Sequence, residues 1–298
     1  MDNIQELYSD LEGIQKEMAT EDQEWQLKER LASYKGDDRV ISFKEYASEV
    51  KDYNKKGLAT GLVKLDEMIE GFHRGDLIAI TAPTGAGKTS FCQFLTSQFS
   101  KKSVKSLWFS YEVPIEKLII KFGNDVPDGF TPKVLTDRSL TWIETRIVES
   151  IVKYKTSIIF IDHLHYLFDM TFTKNPSLVI GDIMRNLKIL ARKYNIVIFI
   201  IAHMTKIRDD EVIGLNSIRD SSFVGQESDY VIALWRATLE QNSKETGRKE
   251  IIYDGNKTVI SVIKNRYTGA LGNIITYYEN NNYSTEFMSY GESDISSV

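Results

Sequence analysis

Lys88 and Thr89 follow the run Ala82-Pro83-Thr84-Gly85-Ala86-Gly87 and precede Ser90, so a loop of small residues ends in a lysine and a hydroxyl. Glycines let consecutive backbone N–H groups turn inward around phosphate oxygens. A helix that starts at the lysine adds the positive potential of its N-terminus. Ala82 through Ser90 are therefore the candidate phosphate cradle. Lys88 is the point charge for the β- and γ-phosphates, and the Thr89 hydroxyl is a candidate Mg²⁺ ligand. The chemistry implied is cleavage of a nucleoside triphosphate, with Mg²⁺ as an expected cofactor. Ala82 stands where the usual pattern has its first glycine.

Three further residues fit the same chemistry. Asp162 closes the apolar run Ile158-Ile159-Phe160-Ile161, which places a carboxylate at the end of a buried strand, where α/β sheets bind ligands. It is the second candidate metal ligand. Hydrolysis also needs a group that orients or activates water. The residue after Asp162 is His163, so Glu112, just after the strand-like run Ser106–Tyr111, is the better candidate. His203 ends the run Ile196–Ala202, where it can donate a hydrogen bond to a γ-phosphate. His163 and His165 flank Leu164 with no third ligand near them in sequence, so a zinc site is not expected there. Cys92 falls on the helix after the cradle and is expected to be a small buried apolar residue rather than a reactive thiol.

The elements that must position these groups are legible as pattern. Leu77–Ala82, Ser106–Tyr111, Ile158–Asp162, Ile196–Ala202, Tyr230–Trp235 and Val259–Lys264 are short apolar runs rich in Val and Ile, as in buried parallel strands. Helical patterns lie between the first four, at Ser90–Phe99, Ile115–Phe122, Thr141–Tyr154 and Leu178–Tyr194. That alternation predicts an α/β fold with helices on both faces of a mostly parallel sheet. Thr258–Phe287 reads as two or three antiparallel strands with turns at Gly269–Gly272 and Asn280–Asn282. Residues 3–35 read as a helix with Ile4, Leu7, Leu11, Ile14 and Met18 on one face, and a shorter helix is expected near Phe43–Tyr53. The expected division is a helical arm and linker over 1–56, an ATPase domain over 57–288 and a polar acidic tail over 289–298.

Together these residues resemble the RecA-like motor domain of hexameric replicative helicases, the family of DnaB, the phage primase-helicases and Twinkle. Thr60-Gly61-Leu62-Val63-Lys64-Leu65-Asp66 and Gly71-Phe72-His73-Arg74-Gly75-Asp76-Leu77 resemble the family's approach to the nucleotide loop, and Phe109 through Pro114 the element that carries its catalytic Glu. Asp162-His163-Leu164 and His203 resemble the phage-type branch. Lys264-Asn265-Arg266-Tyr267-Thr268-Gly269 is similar to the segment whose Arg reaches the neighbouring subunit's nucleotide, with the Lys beside it. The resemblance, over roughly residues 57–280, implies a RecA-like P-loop NTPase core with C-terminal antiparallel hairpins and an N-terminal helical arm. It implies an ATP-driven, ring-shaped DNA helicase, a homo-hexamer or similar ring, moving on single-stranded DNA, with a primase or another replication protein as a partner. Arg266 would be a finger supplied in trans, and Lys174, Lys206 and Arg208 would be DNA contacts on the loops after the third and fourth strands. A RecA- or RadA-like recombination ATPase and a KaiC-like ATPase switch are the alternative resemblances.

Composition fits a globular chain: 298 residues, 42% hydrophobic, 27% charged. No apolar run approaches the roughly 20 residues that a membrane helix needs. The first 20 residues hold five acids and one base and show no leader pattern. One cysteine allows no internal disulfide, which fits a reducing, cytoplasmic compartment. The net charge of −5 argues against nucleic acid only until it is divided. Residues 1–50 carry 13 acids and 6 bases, while residues 51–285 come to +5. Charge of that sign on the body fits a polyanionic partner.

Overall fold

The computed structural model describes residues 21–36, 39–49, 57–168, 176–204, 214–215, 218, 221–242 and 249–285. It separates into two compact units, 1–55 and 56–298. In the first, α1 spans Glu21–Ala32 and α2 spans Phe43–Glu49. The apolar stripe expected from Ile4 to Met18 lies outside the described residues.

The second unit is built on one nine-stranded sheet. Its strands are β1 (Leu77–Ala82), β2 (Ser106–Ser110), β3 (Gly129–Phe130), β4 (Ile158–Asp162), β5 (Val197–His203), β6 (Tyr230–Asn242), β7 (Lys249–Asn265), β8 (Gly272–Glu279) and β9 (Asn282–Ser284). Their order across the sheet is β3-β2-β4-β5-β1-β6-β7-β8-β9. Pairing is parallel from β3 through β6 and antiparallel from β6 onward. The period-two geometry of a strand divides its apolar run between two cores. Ile78, Ile80, Phe160, Phe199 and Ile201 face one core, and Leu77, Ala79, Ile161, Ile198 and Ile200 the other.

Helices close both faces, as the alternating pattern requires. On the first lie α3 (Val63–Ile69), α4 (Lys88–Lys101) and α5 (Ile115–Phe122), through Leu65, Phe91, Leu95 and Leu118. On the second lie α6 (Leu140–Tyr154), α7 (Pro176–Lys193) and α8 (Ser221–Glu227), through Ile143, Met184, Leu187 and Val224. Asp66 ties the segment before β1 to α3. Its carboxylate accepts from Thr60 N at 2.6 Å, Thr60 Oγ1 at 2.8 Å and Gly61 N at 3.1 Å. Gly57 and Gly71 cross so closely that a Cβ on Gly57 would lie 2.5 Å from the Gly71 carbonyl carbon.

Two strands run much further than the sequence pattern predicts. β6 continues beyond Trp235 to Asn242, and β7 begins at Lys249 rather than Val259. Their outer halves form a two-stranded antiparallel ribbon, in register from Thr238–Tyr253 to Asn242–Lys249. The added residues, 236–242 and 249–258, mix charged and polar types with apolar ones, so no buried-strand pattern marks their limits. β3, two residues at the sheet edge, is likewise absent from the pattern. Among the described residues no helix is long and apolar enough to cross a membrane.

Candidate functional site

Parallel register brings the ends of four strands to one edge. Ala82 of β1 pairs with His203 of β5, and Ser110 of β2 with Asp162 of β4. The loop between β1 and α4 turns on Gly85 (φ 78°) and Gly87 (φ 98°), values open to glycine and strained for other residues. Gly87 precedes α4 and supplies no side-chain cap, so the first N–H groups of this 14-residue helix are left for an incoming anion. Lys88 Nζ donates to Ala82 O at 3.0 Å and Pro83 O at 3.3 Å. The ammonium is therefore held over the loop, and burial lowers its pKa while Glu112 and Asp162 oppose that shift.

Thr89 Oγ1 donates to Asp162 Oδ2 at 2.8 Å. Asp162 is fully buried, and its Oδ1 has no hydrogen-bond partner. Burial, reinforced by the nearby Glu112 carboxylate, pushes its carboxyl up to about 6. A buried carboxylate oxygen without a donor, beside a hydroxyl, is the all-oxygen environment that Mg²⁺ prefers. The residues present thus fit the metal, with Thr89 and Asp162 as the side chains that would hold it.

β2 ends one residue earlier than its sequence suggests, and the turn beyond it is pinned to β4. Tyr111 N and Glu112 N both donate to Asp162 O, at 2.7 and 3.2 Å. That fixes Glu112 beside the Asp162 carboxylate while leaving its side chain 37% exposed. Cys92 is fully buried, and burial raises its thiol well above the ordinary range.

The absence of a third ligand near the histidines is corrected by the structure. Folding brings Glu112 and His203 to His163, with one ligating atom of each within 4.8 Å of the others. Glu112 Oε2 lies 3.8 Å from His163 Nε2, and His203 Nε2 lies 3.0 Å from it. His163 Nδ1, however, accepts the backbone N–H of His165 at 3.2 Å. A neutral imidazole in that position carries its proton on Nε2 and offers no lone pair there to a metal. Burial, then the neighbouring His203 and His165, lowers the pKa of His163 to about 3. The trio is a hydrogen-bonding cluster rather than a metal cage.

Lys264 and Arg266 lie at the other end of the sheet. Tyr230 of β6 pairs both with Ile78, near the start of β1, and with Asn265, the last residue of β7. Arg266 N donates to Asp229 O, and Asp229 N to Leu77 O. The length of β1 therefore separates Arg266 from its own chain's phosphate loop, about 17 Å at 3.3 Å per residue. Asp229 is the hub of this edge. Its Oδ2 accepts from Leu77 N at 2.8 Å and from Lys188 Nζ, and its Oδ1 from Arg266 Nη1 at 3.3 Å. Arg266 Nη2 also donates to Gln226 O at 2.9 Å, and Lys264 Nζ to Gly225 O and Gln226 O. Asp229 and Lys188 are both nearly buried, at 6% and 9% exposure. Sequence reasoning passed over this pair. Its one signal was a lysine in the apolar stripe Met184, Leu187, Lys188, Ala191. Lys174, Lys206 and Arg208 lie outside the described residues.

A glycine loop between a buried strand and a helix, a strand-end Asp on its threonine, and a strand inserted between the two define a RecA-like P-loop nucleotide-binding fold. The profile of the DnaB-like helicase C terminal domain matches residues 57–124 and 134–288, and the chain belongs to that family. Its unmatched gap contains β3. The chain is 24% identical over 304 residues to replicative DNA helicase DnaB of Haemophilus influenzae, covering 87% of this chain and 65% of that protein. It is 28% identical over 226 residues to the Helicobacter pylori protein of the same name, covering 64% and 46%. The chain thus spans about half to two thirds of the length of these curated relatives. Among solved structures, one of an isolated ATPase domain superposes with a TM-score of 0.67 at 19% identity, over 82% of this chain and 99% of that one. A DnaB-like replicative helicase, described with its interactions with primase, gives 0.65 at 19% identity, over 95% and 75%.

Proposed function

We propose that this chain is the motor of a replicative DNA helicase. It hydrolyses ATP at the interfaces of a homo-oligomeric ring, a hexamer or similar, and moves along single-stranded DNA. The observation that carries this reading is the division of the charged groups between two edges of one sheet. Lys88, Thr89, Asp162, Glu112 and His203 gather at the ends of β1, β2, β4 and β5, while Arg266 lies at the start of β1, about 17 Å along that strand from its end. The length of β1 therefore keeps Arg266 from its own chain's phosphate site. A second copy placed head to tail supplies its own Arg266, and repetition of that contact closes a ring.

The roles follow from position. The loop N–H groups and Lys88 bind the phosphates. Thr89 and Asp162 would hold Mg²⁺, which when bound would neutralise phosphate charge. Glu112 orients the attacking water and takes its proton. His203 donates to the terminal phosphate. Arg266 of the neighbour stabilises charge on the phosphoryl group as it transfers, an effect worth roughly 10³–10⁵ in rate where such fingers have been measured. Lys174, Lys206 and Arg208 are proposed as DNA contacts, giving sequence-blind, salt-sensitive binding. The arm over 1–56 is proposed as the segment that links subunits, and a primase or another replication protein as a partner. The test is ATP turnover with and without oligo-dT, together with unwinding of a forked duplex. Turnover that ignores DNA would overturn the motor reading and leave an ATPase of another kind.

A further inference from the structure

The turn that carries Arg266 is built around one side chain. Asn265 ends β7 and is 6% exposed. Its backbone closes the turn, since Gly269 N donates to Asn265 O at 3.2 Å. Its carboxamide fills the loop so formed. Oδ1 accepts from Tyr267 N and Thr268 N, each at 3.1 Å. Backbone N–H groups can only donate, so the carboxamide oxygen must face them and its NH₂ the opposite side. There Nδ2 donates to Thr268 Oγ1 at 2.6 Å and reaches Ala270 O and Met68 O, both at 3.2 Å. An Asn side chain bonded to the backbone two and three residues on is a common means of fixing a turn.

A second group ties this turn to the body of the domain. Thr268 Oγ1 donates to Met68 O at 2.9 Å and accepts from Ala270 N at 3.1 Å. Met68 lies in the last turn of α3, where carbonyls lack intrahelical donors. Asn265 and Thr268 supply them from outside the helix. On the other side, Arg266 N donates to Asp229 O at 2.9 Å, and the Tyr267 ring rests on His73 with centroids 4.4 Å apart. The backbone is thus fixed on both sides of Arg266. The Arg266 side chain itself is half exposed, so the placement of its Cα is what the fold can set.

We propose that Asn265 is a positioning residue for hydrolysis in the neighbouring chain: its carboxamide, with the Thr268 hydroxyl, holds the turn from which Arg266 reaches that chain's terminal phosphate. This rests on Arg266 as the finger supplied in trans, proposed above. Asn265 and Thr268 act through Arg266 and not on their own chain's phosphates, because the turn lies at the start of β1 and the phosphate loop follows its end. A long guanidinium on a loose loop samples many positions. Misplacing a catalytic group by about 1 Å can cost roughly 100-fold in rate.

The test is steady-state ATP turnover by the full chain with oligo-dT, alongside binding of a fluorescent ATP analogue. Asn265→Ala should lower kcat roughly 10- to 100-fold, with KM and analogue affinity little changed. Combined with Arg266→Ala it should cost nothing further, since both changes remove one function. Mixed in equal amounts with Lys88→Ala, whose turn is intact, Asn265→Ala should regain turnover well above the sum of the two. A merely structural defect in its own chain would not be relieved that way. Should Asn265→Ala fail to fold, Thr268→Val should show the same loss and the same relief, and Thr268→Ser, which keeps the hydroxyl, should recover most of the rate. Asn265→Ala and Thr268→Val chains that both keep the parent's kcat, where Arg266→Ala has lost it, overturn the proposal and leave the finger standing. A loss that mixing with Lys88→Ala does not relieve overturns it as well. Normal turnover by Arg266→Ala overturns the finger itself, so the two failures are told apart.

Discussion

Replacing Asp229 by Asn should be among the most damaging single-atom changes in the protein. The carboxylate is 6% exposed and accepts from Leu77 N, Lys188 Nζ and Arg266 Nη1. Asn keeps one oxygen, so the Leu77 N–H can remain satisfied. The charge is lost, however, and Lys188, itself 9% exposed, is left with Gly75 O at 2.7 Å as its remaining acceptor in the described contacts. Breaking a buried pair from one side typically costs about 3–5 kcal/mol, because the other charge stays buried and uncompensated. Arg266 is half exposed, and its share of that cost is small. We therefore expect Asp229→Asn to lose about 3–5 kcal/mol in urea denaturation. Lys188→Met in the same chain removes the stranded charge, so the double variant should regain most of the loss. A single variant within about 1 kcal/mol of the parent, or a double variant whose losses simply add, would refute the hub as described.

Other expectations are as direct. Lys88→Ala should abolish nucleotide binding or turnover, read by titration with a fluorescent ATP analogue. Arg266→Ala should leave nucleotide binding largely intact while stopping hydrolysis. Mg²⁺ affinity should follow Asp162. Its carboxyl is pushed up to about 6 without metal, so binding must release a proton at lower pH and affinity should fall as the pH drops through 6, by about tenfold per unit below it. Calorimetry at pH 5.5 and 7.5 reads this. Gly57→Ala should destabilise the second unit by about 1–3 kcal/mol, since its Cβ would meet the Gly71 backbone at 2.5 Å and force apart the Leu58–Phe72 bridge. Thermal unfolding measures that cost.

The parallel half of the sheet, β3 at its edge excepted, was legible because its strands are buried on both faces and so must be largely apolar. Ile158–Asp162 and Leu77–Ala82 match their sequence limits for that reason. The β6–β7 ribbon was not legible beyond Trp235, because its residues mix charged, polar and apolar types. The phosphate loop could be read from local sequence, since its chemistry depends on backbone turns and on adjacent residues. Contacts made between strands could not. His163 meets His203 because β4 and β5 are neighbours, and Asp229 meets Lys188 because α7 crosses the start of β1. Nothing in their spacing, 40 and 41 residues, announces either pair.

The central claim is that catalysis needs groups from two chains, and mixing two inactive variants tests it most directly. Lys88→Ala retains Arg266 but lacks a working phosphate site; Arg266→Ala retains the site but lacks the finger. Each alone should show almost no DNA-stimulated ATP hydrolysis. Co-assembled at equal amounts, about a quarter of head-to-tail interfaces would pair an intact site with an intact Arg266. The account predicts that the mixture regains a substantial fraction of the parent's turnover. A mixture no more active than its separate components would contradict it.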